Sequence, residues 1–355
     1  MLEDAHRRLG AVFTERFGKR IPEHYGDWEG EVTAVRTRAG LIDLSWRGKL
    51  ELTGEGRVKF LHGKVTNDIQ ALSEGEGCAA VMCNAKGKML ADLRVYATAD
   101  RLRLEMHGGL ATKVYQIFED SIFFDPVAVE DVTEKFAIFG VEGPEARTLL
   151  EGGLEASPLP QATFTHTLTR ILGEEVWVTR GGETGAEAYH LWIPIGSAPP
   201  FWEKLLEVGR EVGLTPVGFK AYDTLRLEAG TPWYGTDTDE QTIPLEAGLE
   251  RAISFTKGCY LGQEVIARIE ARGHVNWKLC GLRLTEPVAA GEEVFAEGEG
   301  IGRITSAGFS PTLGFPIALA RLRREYAEPE TRLHLRPGGR NVSATVLPLP
   351  FLCSP

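Results

Sequence analysis

Residues 82–93 read MCNAKGKMLADL, and this stretch carries the pattern of a β-hairpin. The run 79–83 before it is apolar, and Asn84 to Gly87 have the residue types that form tight turns. From Met89 to Tyr96 apolar and polar residues alternate, which is the period of a strand that buries one face. We therefore expect a hairpin whose second strand places Asp92 on the polar face.

Outside the hairpin, predicted strands and helices follow one another without a strict βαβ alternation, and this mixture predicts the α+β class. Beyond residue 275 short strands recur between Gly and Pro residues, which is typical of a small antiparallel barrel or sandwich. The predicted domains are therefore residues 1–274 and residues 275–355. Further strands are predicted at 101–106, 136–140, 175–180 and 188–193, and helices at 201–213, 219–229 and 263–272.

Composition and charge narrow the classes of function. The chain has 355 residues and a formal net charge of -11, which argues against non-specific nucleic-acid binding. The N-terminus lacks a signal peptide, and no run of about 18 apolar residues predicts a membrane span, so we expect a cytoplasmic protein. The five cysteines form no CxxC pair, so neither a zinc ribbon nor a disulfide framework is predicted.

The motif KGCYLGQE, residues 257–264, is the strongest chemical signal in the chain. Cys259 comes shortly before a predicted helix and two residues after Lys257. A helix N-terminus and a nearby cation both favour a thiolate, which suits redox chemistry, nucleophilic attack or transient metal ligation. The alternative interpretation is a small buried residue in a turn, because free cysteines are usually buried and inert.

Asp92 is the second candidate, because aspartate is disfavoured in the middle of a strand. A carboxylate there could accept a hydrogen bond from a ligand or help to move a proton. The alternative is a solvent-facing side chain paired with Arg94 on the same strand face.

The cysteine motif, with Ala267-Arg268 and Arg272-Gly273 after it, closely resembles the signature of the YgfZ family. The segments RLEAGTP (226–232) and IPLE (243–246) also look like that family. The resemblance implies that Cys259 is a functional thiol. It also implies a folate-binding protein that supports the synthesis or repair of iron–sulfur proteins, with those proteins or their assembly machinery as partners and a link to tRNA modification.

Over nearly its whole length the chain also resembles the T-protein (aminomethyltransferase) of the glycine cleavage system. The segments that carry this resemblance are LIDLS (41–45), TND (66–68), MCNAKGKMLADL (82–93), GRITS (302–306) and FSPTLG (309–314). It implies two α+β lobes around a central folate channel plus a C-terminal antiparallel β-barrel domain. It further implies tetrahydrofolate, or a one-carbon derivative, as cofactor, with Asp92 at the position of the catalytic aspartate.

Several further residues are assigned to the folate site. The negatively charged glutamate tail of folate calls for nearby positive charge, although Arg226 could instead form a structural ion pair with Glu228 or a neighbour. The candidates for folate contact, besides Asp92, are Arg226, Lys257, Arg268, the motif residues Gln263 and Glu264, and His190.

The chain departs from the T-protein pattern at positions that matter for the pterin. His190 stands where that family has a glutamate, Glu183 where it has a tyrosine, and Tyr222 where it has an arginine. These differences leave folate binding plausible and favour the YgfZ-like hypothesis, in which Cys259 maintains iron–sulfur proteins. The alternatives are an aminomethyltransferase that transfers a one-carbon unit to tetrahydrofolate, and a folate sensor without chemistry.

Overall fold

The computed structural model describes residues 2–352, which form two α+β lobes and a β-barrel. The helices are α1 (Leu2–Arg8), α2 (Trp28–Thr37), α3 (Arg57–Lys64), α4 (Ala111–Glu119), α5 (Ala146–Gly152), α6 (Ala198–Val208), α7 (Phe219–Glu228) and α8 (Gln263–Arg272). No helix within residues 2–352 is long and apolar enough to cross a membrane.

The strands up to residue 217 are interspersed with these helices, and the strands from residue 277 onward form the barrel. Those before the barrel are β1 (Val12–Arg16), β2 (Lys19–His24), β3 (Ala39–Asp43), β4 (Gly48–Thr53), β5 (Gly77–Cys83), β6 (Met89–Ala97), β7 (Arg101–Met106), β8 (Ala128–Asp131), β9 (Phe136–Glu142), β10 (His166–Ile171), β11 (Glu174–Arg180), β12 (Ala188–Pro194) and β13 (Leu214–Val217). The barrel strands are β14 (Trp277–Leu284), β15 (Glu293–Ala296), β16 (Glu299–Ser310), β17 (Phe315–Arg323), β18 (Arg332–Leu335) and β19 (Val342–Leu347).

The first lobe is a five-stranded sheet in the order β5-β6-β7-β4-β8, with α3 and α4 on one face. The predicted hairpin is confirmed as β5 and β6, and Gly87 closes its turn with a φ of 68°, a conformation that favours glycine. The second lobe is a six-stranded sheet in the order β10-β11-β12-β9-β3-β13, whose outer face is covered by α1, α5 and α6. The inner faces of the two sheets meet at the lobe interface.

The C-terminal domain is a closed barrel of antiparallel strands in the order β14-β17-β16-β15-β18-β19. Apolar residues on alternate positions of its strands fill the interior. The α+β class and the C-terminal antiparallel barrel are thus confirmed. The run Ile253–Phe255, which resembles a strand end in sequence, contains no strand in the structure.

Candidate active site between the two lobes

Strand alternation sorts the first lobe's side chains into an apolar face and a charged face. In β6, Ala91, Leu93 and Val95 pack in the core beneath α3 and α4, whereas Asp92 and Arg94 point to the opposite face. In β7 the neighbour across from Arg94 is Glu105, which therefore shares that face. Charged residues are thus placed between the two sheets, where water is excluded.

A cluster of ionisable side chains from both lobes fills this interface. Arg47, in the loop between β3 and β4, contacts Glu105 (Nε to Oε1, 2.5 Å) and donates to Glu183 (Nη1 to Oε1, 2.7 Å). His190 in β12 pairs through Nδ1 with Glu105 Oε1 at 3.0 Å. We call these residues the interlobe cluster: Arg47, Asp92, Arg94, Glu105, Glu183 and His190.

The charges in the cluster stabilise one another. Burial alone would raise the pKa of Glu105, but His190 and Arg47 outweigh burial and hold that pKa well below its ordinary value. Burial likewise opposes the protonation of His190, yet the Glu105 carboxylate raises the pKa of the imidazole above its ordinary value. Glu105 therefore favours the protonated form of His190 in this buried pair.

The side chain of Glu183 accepts four hydrogen bonds. Its Oε1 accepts from Arg47 and from Arg94 Nη2 at 3.3 Å, and its Oε2 accepts from Trp233 Nε1 at 2.7 Å and Tyr222 Oη at 3.2 Å. Burial would raise the pKa of Glu183, but Arg47 and Arg94 lower it to about 2. The carboxylate is therefore negative throughout the neutral range.

Asp92 differs from the other acids because its Oδ1 is buried and accepts no hydrogen bond. Burial, together with the negative charge of Glu183, raises the pKa of Asp92 to about 6, although Arg47 and Arg94 oppose the rise. The alternative of a solvent-facing pair with Arg94 is wrong, because Arg94 donates to Glu183 and to the carbonyls of Gly181 and Gly182. Asp92 is a buried acceptor whose protonation changes near neutral pH.

A cavity of about 600 Å³ reaches this cluster from the protein surface. It is lined by Arg36 of α2, the glycine-rich turn 182–187, Thr231 and the C-terminal Pro350. Glu183 borders the cavity and belongs to the cluster as well. A ligand in the cavity would therefore contact the interlobe cluster first at Glu183.

The cysteine motif lies on the other face of the first lobe's sheet. Tyr260 packs in the core with Leu93, on the side of α3 and α4, and Cys259 beside it is exposed. Cys259 and Asp92, the two catalytic candidates from the sequence, are therefore on opposite faces of this sheet. The alternative of a buried cysteine is wrong.

The other motif residues lie on this outer side as well. Lys257 Nζ donates to three carbonyls at the end of α3, those of His62, Val65 (2.7 Å) and Asn67 (3.0 Å), and burial lowers its pKa to about 8. The ammonium group of Lys257 therefore binds backbone oxygens. This corrects the prediction that its charge stabilises the Cys259 thiolate or contacts folate. Gln263 donates to the Lys257 carbonyl at 3.4 Å, and Glu264 and Arg268 are exposed on α8.

Arg226 joins the lobes to the barrel. Its guanidinium pairs with Asp237 and with Asp223 (2.7 Å), and donates to Ser306 Oγ in β16 at 2.9 Å. The structural ion-pair interpretation therefore describes its contacts, with different partners from the Glu228 expected, since Glu228 pairs with Arg36 at 2.8 Å. In the described structure these contacts occupy the N–H groups of the Arg226 guanidinium. No N–H group is left there to support the predicted folate contact.

The structure thus brings together Asp92 and His190, and separates both from the cysteine motif. It also places Glu183 and Tyr222, two positions of departure from the T-protein pattern, beside them. Sequence reasoning missed Arg47, Glu105 and Trp233. Glu105 had a detectable signal, because it lies between apolar residues in a strand where Arg101, Arg103 and Glu105 share one polar face.

These features define a protein with a buried, charged site between two α+β lobes and with a barrel docked against the lobes. The chain matches the family model described as the GCVT N-terminal domain over residues 2–257. It matches the glycine cleavage T-protein C-terminal barrel domain over residues 278–352. The chain therefore belongs to the glycine cleavage T-protein family.

Relatives named aminomethyltransferase are similar to this chain along nearly its whole length. An aminomethyltransferase of Saccharopolyspora erythraea is 34% identical over 99% of this chain and 96% of its own length. One of Thermotoga petrophila is 34% identical over the same shares of the two chains. The crystal structure of glycine cleavage system aminomethyltransferase T from Bartonella henselae has a TM-score of 0.90, 27% identity, and coverage of 99% of this chain and 97% of that chain.

These comparisons correct the leading hypothesis from the sequence. The prediction of a YgfZ-like protein that serves iron–sulfur proteins is wrong, because the full-length relatives bear the name aminomethyltransferase. The comparisons also give no support to the predicted iron–sulfur partners. The predicted T-protein fold is confirmed, and the alternative function, one-carbon transfer, is the better supported one.

Proposed function

We propose that this protein is an aminomethyltransferase that moves a one-carbon unit from a carrier-bound aminomethyl group to tetrahydrofolate at the interlobe cluster. The observation that carries the proposal is Asp92, whose buried Oδ1 has no hydrogen-bond partner. A buried acceptor left unpaired costs free energy unless a ligand supplies the donor. An N–H group of tetrahydrofolate would supply it. Family membership supports this cofactor, and the predicted cytoplasmic location remains part of the proposal.

The remaining residues set limits on how folate is held. The T-protein resemblance assigns the positions of His190 and Glu183 to the pterin. His190 is already bonded to Glu105, and Glu183 already accepts from four donors. The pterin would therefore depend on Asp92 and on the wall of the 600 Å³ cavity that Glu183 borders. Tetrahydrofolate, when bound, supplies the nitrogen that accepts the one-carbon unit.

Asp92 is suited to proton movement in such a transfer. A carboxylate with a pKa of about 6 is mostly ionised at pH 7 and yet takes up a proton at little cost. When a folate nitrogen bonds to the one-carbon unit, Asp92 could take the proton that this nitrogen loses and give it to the amine, which leaves as ammonia as its bond to that carbon breaks. The proton lost when the second folate nitrogen bonds to the carbon would go to the carrier, whose bond to the carbon breaks in that step. Nearby Arg47 and Arg94 are committed to other acids, so neither neutralises Asp92 through a direct ion pair.

The test is Asp92→Asn in an assay that measures methylenetetrahydrofolate and ammonia formed from the aminomethylated carrier protein. We expect the turnover number to fall by about 100-fold or more, which is the range for loss of a general acid or base. The matched control is Asp100→Asn, which removes an exposed carboxylate in the turn that follows the same strand. Wild-type activity in Asp92→Asn would reject Asp92 as the catalytic acid–base group.

A folate sensor is distinguished in the same experiment. If calorimetry detects tetrahydrofolate binding to the wild-type protein, but no methylenetetrahydrofolate is formed, the proposal of transfer fails and the sensor remains. The role of Cys259 as a functional thiol is a separate proposal that rests on its motif and its exposure.

A further inference from the structure

Glu183 accepts four hydrogen bonds but has no role in the reaction proposed above. It occupies a turn position at which the sequence departs from the T-protein pattern. The turn can bring it between the lobes because Gly182 precedes it: a Cβ at Gly182 would lie 2.5 Å from Ala188 Cβ and 2.9 Å from Glu142 Oε1. The local backbone is thus built to insert this carboxylate into the cluster.

The first consequence of that insertion is that Glu183 takes the cations that Asp92 would otherwise attract. Arg47 Nη1 and Arg94 Nη2 both point at Glu183 Oε1, at 2.7 and 3.3 Å. Among the described residues, the other ion-pair partner of Arg47 is Glu105. Asp92 Oδ1, in the same cluster, is left without a donor.

The second consequence is direct repulsion, because Glu183 is itself a permanent negative charge. Trp233 Nε1 and Tyr222 Oη donate to its Oε2, so the carboxylate cannot change its orientation without losing two hydrogen bonds. The charge of Glu183 raises the pKa of Asp92. Two carboxylates in one water-excluded site disfavour the ionised form of the weaker-bonded one. Here that is Asp92.

We propose that Glu183 is a positioning residue for the transfer reaction, because its fixed carboxylate determines the pH range over which Asp92 exchanges a proton. This inference rests on the proposed function in one respect only, namely that Asp92 is the group whose protonation limits the rate. The charged and titratable groups around the site are Asp92, Arg94 and Tyr96 of β6, Glu105 of β7 and His107 just after it, Glu142 of β9, His190 of β12, Arg47 of the β3–β4 loop, Glu183 of the β11–β12 turn, and Tyr222 of α7.

The expected direction follows from the signs of these charges. Glu183→Gln removes the repulsion and frees Arg47 and Arg94 to face Asp92, so the protonation midpoint of Asp92 falls, by about 1 pH unit for one charge removed in a partly buried site. Arg94→Gln removes a cation and raises the midpoint. A general disturbance of the fold would not move the midpoint in opposite directions for the two variants.

The experiment measures the midpoint directly, by ¹³C NMR of protein labelled at the aspartate carboxyl carbons, with Asp92→Asn used to assign the resonance. The pH dependence of turnover is recorded in parallel, and its acid limb moves with the NMR midpoint. Glu51→Gln is the control. Glu51 is a buried acid in the sheet that contains Asp92, and it is bonded to Arg101 and Arg103. We expect it to leave the Asp92 midpoint unchanged.

The outcomes separate this inference from the proposed function. If Glu183→Gln leaves the NMR midpoint of Asp92 where it is, or raises it, the inference is overturned even if transfer activity is present. If the midpoint moves as expected but the protein has no transferase activity, Glu183 still controls Asp92 and the proposed reaction is the part that fails. Should Glu183→Gln not fold, Arg94→Gln alone decides: an unchanged or lowered midpoint would overturn the inference.

Discussion

Asp92 and Arg47 illustrate how residues of one buried site carry opposite energetic roles. Arg47 neutralises Glu105 and Glu183, which come from different lobes. Asp92 has no such partner at its Oδ1, and its ionised form is disfavoured in the folded state. The site thus holds a stable set of ion pairs around one acid that destabilises the fold whenever it is charged.

A stability measurement tests this description of Asp92. In the unfolded chain an aspartate has a pKa of about 3.9, and in the folded protein the pKa of Asp92 is about 6. Between these values the folded state holds the proton more tightly, so the Asp92 contribution lowers stability as the pH rises from about 4 to 6 and stays constant above. We therefore expect Asp92→Asn to raise the urea midpoint of unfolding at pH 7.5.

The gain should shrink when the same titration is run at pH 4.5, where Asp92 is protonated in the folded protein. Asp100→Asn again serves as control, because that carboxylate is paired with Arg101 at 2.6 Å and largely exposed. A destabilised Asp92→Asn at pH 7.5 would show that the ionised carboxylate is bonded in a way the structure does not contain.

At the level of elements, the central sheet of the first lobe separates two chemistries. Its charged face belongs to the interlobe cluster, whereas its apolar face packs against α3, α4 and the segment that carries Tyr260. Lys257 ends α3 by donating to carbonyls that the helix leaves unpaired, which gives the motif a structural role. Cys259 remains exposed at the edge of this arrangement.

Cys259→Ser tests the functional thiol that the motif predicts. Because the side chain is exposed, we expect the melting temperature to stay within about 1 °C of the wild type. Any loss of aminomethyl transfer would then report chemistry rather than folding. Cys280→Ser is a useful comparison, since Cys280 is buried in the barrel core and its substitution should lower stability. Unchanged transfer by Cys259→Ser would reject a role for this thiol in the reaction.

In the whole molecule, Arg226 connects the second lobe's α7 to the barrel. It pairs with the buried Asp237, which also accepts from Thr305 and Ser306 of β16 at 2.6 Å each. The guanidinium stacks on Trp233, 4.3 Å from the ring centroid, and Trp233 in turn bonds Glu183. The interface between lobe and barrel is therefore linked through one aromatic ring to the candidate active site.

Arg226→Gln should separate these parts. Removing one partner of a buried ion pair leaves Asp237 uncompensated, at a cost of about 3–5 kcal/mol in the free energy of unfolding. Urea denaturation measures this cost, and limited proteolysis between residues 229 and 277 should become faster. Arg332→Gln, an exposed change on β18, should stay within about 0.5 kcal/mol of the wild type. A similarly small effect of Arg226→Gln would contradict the stabilising role of the Arg226–Asp237 ion pair.

What could be predicted from the chain alone was local. The hairpin of β5 and β6, the helix α8 and the strands β18 and β19 follow from the alternation or the helical period of neighbouring residues, because burial of one face constrains nearby positions. The short cysteine motif was also a local signal. It pointed to a YgfZ-like function, which the names of the full-length relatives contradict.

The site depended on contacts between distant parts of the chain. Arg47 meets Glu183 across 136 residues, and His190 meets Glu105 across 85, so no periodicity links them. Lys257 bonds carbonyls more than 190 positions away, which removed it from the predicted site. The physical reason is that strand and helix patterns arise from short-range burial, whereas the partners of a buried charge are set by how the two sheets and the barrel pack together.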